Sequence, residues 1–120
     1  MPSVLIVEDS AAMRGLIASI VEQVEGCEVV EAAGGFDALK SLPRRTFDLI
    51  ITDINMPDIN GLELLSFIRR NAAHRETPVL IVTSEDSDAQ RERSFALGAN
   101  AILRKPFAEE DLLAKVRELL

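Results

Sequence analysis

Phe47-Asp48-Leu49-Ile50-Ile51-Thr52-Asp53, followed by Ile54-Asn55-Met56-Pro57-Asp58-Ile59-Asn60-Gly61, decides the fold of this chain. Phe47, Leu49, Ile50 and Ile51 form a short, nearly continuous apolar run, as expected of a strand buried on both faces. The run stops on a carboxylate, Asp53. The segment from Met56 to Gly61 carries Pro, Asp, Asn and Gly, the residues of a turn. Leu62, Leu65 and Ile68 then fall at helical spacing and predict a helix to about Asn71. A buried strand, a polar turn and an amphipathic helix make half of a βαβ unit.

The same unit repeats on either side. Val4 to Val7 reads as a buried strand. Met13, Leu16, Ile17, Ile20, Val21 and Val24 mark one face of a helix that Gly26 ends. Glu28 to Ala32 is shorter and more polar, as expected of an edge strand. Gly34-Gly35 breaks it, and Phe36 to Leu42 forms a short helix stopped by Pro43. Pro78 to Val82 is a strand, Asp88 to Leu97 a weakly amphipathic helix, and Gly98 its end. Ala101 to Leu103 is the last strand. Lys105-Pro106-Phe107 leads to a final helix with Leu112, Leu113, Val116 and Leu120, whose acidic first turn suits the helix dipole. Five strands alternating with five helices, joined by right-handed crossovers, predict an α/β fold with an open, doubly wound five-stranded parallel sheet.

Length and charge narrow the function. The 120 residues form one ordinary domain, 1–120, large enough to fold without disulfides. The net charge of -7 opposes binding to nucleic acid or to an anionic membrane. No apolar run reaches the roughly 20 residues of a membrane span. The single cysteine, Cys27, and the lack of a signal sequence predict a cytoplasmic location. Cys27 itself is expected to be a small buried hydrophobe. The single histidine, His74, is expected in an exposed loop.

In such a sheet the functional crevice lies outside the carboxyl ends of the strands. Those ends carry Glu8 and Asp9, Asp53, Thr83 and Ser84, and Lys105. Three converging carboxylates repel one another, by about 4 kcal/mol for two charges 4 Å apart at an effective dielectric of 20. A divalent cation removes that repulsion, and hard oxygen ligands with room for water suit Mg²⁺. A carboxylate beside the metal can then act as a nucleophile toward phosphorus, with Thr83 and Lys105 meeting the oxygens of the transferred group. Singly, most of these residues have plainer roles. Asp9 or Ser10 could cap a helix, Thr83-Ser84 likewise, and Lys105 could be a solvated charge. Complementary groups at the strand ends of one sheet favour the joint reading.

The chain resembles the receiver domain of bacterial two-component response regulators, including the stand-alone chemotaxis type. The resemblance runs the whole length and rests on Val7-Glu8-Asp9, Asp53-Ile54-Asn55-Met56-Pro57, Gly61, Thr83-Ser84 and Lys105-Pro106-Phe107. It implies a flavodoxin-like (CheY-like) strand order 2-1-3-4-5 and a cis Lys105-Pro106 bond. It implies Asp53 as phosphoacceptor, Mg²⁺ held by Glu8, Asp9, Asp53 and the Asn55 backbone carbonyl, and Thr83 and Lys105 on the phosphoryl group. It also implies a sensor histidine kinase as donor, a protein output target, and no catalysis beyond the domain's own phosphorylation and dephosphorylation. Either the chain is a stand-alone chemotaxis-type regulator, the preferred reading, or a piece of a longer one.

One position departs from the family. Ile102 stands where an aromatic residue usually couples to the hydroxyl of Thr83. An isoleucine has no ring to swing, so the change is expected in the loop after Thr83 and the helix from Asp88, with output along that helix, the last strand and the last helix. Three other functions compete. A Mg²⁺-dependent small-molecule phosphatase would need a second acid where Asn55 stands. A flavin or nucleotide carrier would need a phosphate loop where Glu8-Asp9 would repel the ligand. A degenerate receiver serving only as an interaction surface would lack the intact acceptor set.

Overall fold

The computed structural model describes residues 1–120. Its elements are β1 (Ser3–Val7), α1 (Ala11–Val21), β2 (Glu28–Ala32), α2 (Gly35–Ser41), β3 (Leu49–Thr52), α3 (Gly61–Arg70), β4 (Val79–Thr83), α4 (Asp88–Ala96), β5 (Ala101–Arg104) and α5 (Glu109–Leu119). All strand pairings are parallel, in the order β2-β1-β3-β4-β5. The expected strand order, element count and edge position of β2 hold.

Alternation along each strand divides the core in two. Leu5, Val7, Ile50, Val79, Ile81 and Ile102 pack with residues of α2 and α3. Val4, Ile6, Leu49, Ile51, Leu80, Val82 and Ala101 face the other way, onto α1 and α5. Both faces are covered, which is why the inner strands read as unbroken apolar runs. Ser10, Asn60 and Ser87 cap α1, α3 and α4, and Asn60 with Glu63 completes a capping box.

Some local expectations change. α1 ends at Val21, and turns carry the chain on to Gly26, where φ is +76°. Leu16, placed by spacing on the buried face, is 46% exposed. Phe47 lies outside β3 but is buried. Cys27 is only half-buried.

His74 is the clearest correction. It is not in an exposed loop but 1% exposed, with Nε2 2.7 Å from the Leu42 carbonyl. A carbonyl only accepts, so Nε2 carries the hydrogen. Pro43 stops α2 and leaves its last carbonyls without helical partners, and His74 supplies one from the α3–β4 connection. Arg69, from the end of α3, serves the same region. It donates to the carbonyls of Thr77 (2.8 Å) and Gly98 (2.8 and 3.1 Å) and to Asn100 Oδ1 (2.9 Å), anchoring the chain just past α4.

Candidate phosphoacceptor site

The carboxyl ends of β1 and β3 bring the acidic residues together. Glu8 N–H donates to the Ala32 carbonyl at 3.1 Å and Asp53 N–H to the Val7 carbonyl at 3.2 Å, so sheet-type bonding fixes both backbones. Glu8 is 2% and Asp53 8% exposed, whereas Asp9 is open to solvent. One oxygen from each of Glu8, Asp9 and Asp53 lies within 4.8 Å of the others. That spacing suits a shared hard cation, and solvent at Asp9 leaves room for its water.

Lys105 reaches in from the end of β5. Its Nζ donates to Glu8 Oε1 at 2.5 Å and to Asp53 Oδ2 at 2.9 Å. The other oxygens are also partnered. Glu8 Oε2 accepts from Ser10 N–H (3.1 Å), and Asp53 Oδ1 accepts from Ile54 N–H (2.6 Å). Burial pushes the Glu8 carboxyl above its ordinary range, and hydrogen bonds from Lys105 and Ser10 only partly offset this. Burial would pull the Lys105 ammonium down, but the hydrogen bonds to Glu8 and Asp53 outweigh it and the net direction is up. The lysine is therefore held charged beside Asp53.

Thr83 ends β4, fully buried, and its Oγ1 accepts from Glu85 N–H at 3.1 Å. That bond uses a lone pair and leaves the hydroxyl proton free to donate. It does not cap α4, since Ser87 does. Asn55 sits at the mouth, its side-chain amide donating to Glu85 Oε2 at 2.9 Å and so linking the β3–α3 and β4–α4 loops. The Lys105-Pro106 bond is cis, as the resemblance implied. Ile102 is buried on the α3 side of the sheet.

Gly61 closes the acceptor loop. A Cβ there would stand 1.9 Å from the Asp53 carbonyl oxygen, and its N–H donates to the Ile54 carbonyl at 2.8 Å. In the sequence Asp58 is only one of the turn residues between Met56 and Gly61. Its carboxylate in fact accepts from Gly35 N–H (3.1 Å), Phe36 N–H (2.8 Å) and Ile59 N–H (2.7 Å). No spacing in the sequence joins Asp58 to residues more than twenty positions earlier; only the order β2-β1-β3 does.

The backbone bonds at Asp58, those from Phe36 and Ile59 foremost, hold its carboxyl below the ordinary value of 3.8. A depressed folded-state pKa adds stability that is present above the unfolded value and lost as pH falls through the folded one. Asp58→Asn is therefore expected to lower the urea midpoint above about pH 4, with the gap to wild type closing in stronger acid. A gap of constant size across that range would refute the assignment.

Comparison with known proteins agrees with this geometry. The family model for the response regulator receiver domain matches residues 4–117. The chain is 32% identical to Protein PilG of Pseudomonas aeruginosa, covering 95% of this chain and 84% of that protein. It is also 32% identical to a chemotaxis protein CheY homolog of Campylobacter jejuni, covering 97% and 90%. The solved structure of chemotaxis response regulator CheY4 of Vibrio cholerae superposes with a TM-score of 0.92 at 37% identity, over 100% of this chain and 99% of that one. The chain spans about half the length of some transcriptional regulatory proteins that it also matches. Sequence, topology and the acidic pocket thus agree, and the chain belongs to the response regulator receiver domain family, the signalling modules of two-component systems.

Proposed function

We propose that Asp53 takes a phosphoryl group from a sensor histidine kinase in a Mg²⁺-dependent reaction and that the chain acts as a cytoplasmic, chemotaxis-type regulator. The observation that carries this is the placement of Asp53 at the end of β3, slightly exposed, 2.9 Å from Lys105 and within 4.8 Å of two further carboxylates. Glu8, Asp9, Asp53 and the backbone carbonyl of Asn55 would hold the metal, which when bound supplies charge neutralisation for the phosphoryl oxygens. An Asp53 carboxylate oxygen attacks phosphorus. The bond from phosphorus to the kinase histidine nitrogen, or to the acetate oxygen of acetyl phosphate, breaks with its electron pair on the leaving group. Lys105 meets the added negative charge, and Thr83 donates its free hydroxyl proton to a phosphoryl oxygen. The domain catalyses only its own phosphorylation and dephosphorylation. Asn55 spends its amide on Glu85 and offers no acid, which disfavours the small-molecule phosphatase.

The test is incubation with Mg²⁺ and acetyl phosphate followed by intact mass spectrometry. One phosphoryl adduct, absent when Mg²⁺ is chelated, is the expected result; no adduct would overturn the reading. The kinase would dock beside the site on α1. That helix exposes Ala11, Ala12, Gly15, Leu16 and Ser19, a face without charge on a chain that is 28% charged. No helix is long and apolar enough to cross a membrane.

Output is proposed along α4, β5 and α5, with α4 as the moving part. Ser94 is the only fully buried residue of α4, so little apolar surface holds the helix down. Its approach, Ser84 to Ser87, is tied through Thr83 and Asn55 to the site. Thr83 and Lys105 gain contacts only in the phosphorylated state, as any population shift requires. NMR comparison of the free protein with its Mg²⁺–beryllofluoride complex is expected to show shifts through Ser84 to Leu97 while Ile102 keeps its rotamer. A rotamer change at Ile102 with a silent α4 would refute this route.

A further inference from the structure

Asp58 lies in the β3–α3 loop, five residues after Asp53, yet its carboxylate binds another part of the molecule. Oδ1 accepts from Gly35 N–H and Ile59 N–H, and Oδ2 from Phe36 N–H. Gly35 and Phe36 open α2, whose first amides have no partners inside the helix. The residue at the N-cap, Gly34, has no side chain to satisfy them. Asp58 therefore caps α2 from a loop two strands away.

The fit depends on both glycines. A Cβ on Gly34 would stand 3.0 Å from Asp58 Oδ2, and one on Gly35 would stand 2.1 Å from Ile59 Cγ1. The other end of the loop is fixed separately, by Gly61 N–H on the Ile54 carbonyl and by the Asn60–Glu63 capping box. Residues 54–61 are thus pinned at two points, and Asn55 lies in the span between Ile54 and Asp58. Loops of this composition are otherwise mobile, and a metal ligand supplied by a backbone carbonyl is only as well placed as its loop.

We infer that Asp58 is a positioning residue for the acceptor site: by clamping the β3–α3 loop to the start of α2 it sets the Asn55 carbonyl in place for the divalent cation. This rests on reading Asp53 as a Mg²⁺-assisted phosphoacceptor. Asp58 touches none of the reacting groups and acts only through the loop.

The test titrates Mg²⁺ into the full chain, by calorimetry and by the amide shifts of residues 53–60. Wild type is expected to bind. Asp58→Ala is expected to bind about tenfold more weakly, as when a residue that orients a metal ligand is removed. Gly35→Ala, which displaces Ile59 with the Asp58 carboxylate still present, is expected to weaken binding in the same direction. Leu42→Ala, a buried change at the far end of α2, lowers stability without touching the clamp and is expected to leave Mg²⁺ affinity unchanged. The inference is overturned if wild type binds and Asp58→Ala binds equally well, or if Leu42→Ala weakens binding as much as Asp58→Ala. A wild type that binds no Mg²⁺ would overturn the underlying metal reading, and this inference with it.

Discussion

Asp53→Ala is expected to abolish the phosphoryl adduct that acetyl phosphate and Mg²⁺ form on the wild-type chain. No neighbour can take over. Glu8 is almost wholly buried, with one oxygen held by Lys105 and the other by the Ser10 amide. Asp9 is solvent-exposed and has no bonded contact with Lys105, whose two carboxylate partners are Glu8 and Asp53. The variant should still fold. Removing one of three clustered carboxylates relieves repulsion, and Lys105 keeps its bond to Glu8. Circular dichroism and the urea midpoint would confirm this, so that a lost adduct reports chemistry and not unfolding. An adduct of undiminished yield on Asp53→Ala would move the acceptor elsewhere. Lys105→Met is expected to slow the reaction by orders of magnitude without abolishing it, because it removes charge stabilisation and leaves the nucleophile.

Much of this is legible in the sequence alone. Five apolar runs alternating with helical spacing allow few arrangements, and the polar residues at strand ends then share one edge whatever the loop details. Glu8, Asp9, Asp53 and Lys105 were found that way, and the structure brings them together. Asp9 and Glu8 still differ in burial, which adjacency in sequence does not reveal. His74 was misread because a polar stretch usually marks an exposed loop, and nothing local shows that the α2 carbonyl behind it needs a donor. Asp58 and Arg69 were missed for a related reason. Their partners are backbone amides and carbonyls at the ends of other elements, and backbone groups carry no residue-type signature. Leu16 fits the helical spacing yet faces outward, since one apolar period cannot fix where the buried arc ends.

Two glycine substitutions are expected to act in opposite directions, and the larger effect falls at the acceptor loop. In Gly61→Ala the new Cβ would lie 1.9 Å from the Asp53 carbonyl oxygen, 2.8 Å from its carbonyl carbon and 3.0 Å from Ile54 Cα. All three are backbone atoms at the end of a buried strand, so no side chain can swing aside. Either α3 must back away, breaking the Gly61–Ile54 hydrogen bond, or Asp53 must shift. Overpacking of this kind costs about 3 kcal/mol. Because the displaced atom belongs to Asp53 itself, the rate of phosphorylation by acetyl phosphate should fall along with the urea midpoint. Gly15 is the counterexample. It lies within α1 on the solvent side, and a Cβ there meets nothing within 4 Å. Gly15→Ala is expected to stabilise the chain by about 0.5–1 kcal/mol, the cost of glycine within a helix. Nothing inside the molecule requires glycine at this position, and it lies at the centre of the uncharged α1 face proposed to meet the kinase. Gly15→Ala should therefore leave phosphorylation by acetyl phosphate unchanged. A Gly61→Ala protein within 1 kcal/mol of wild type by urea denaturation would show that the loop yields easily and would remove the steric basis of the acceptor geometry.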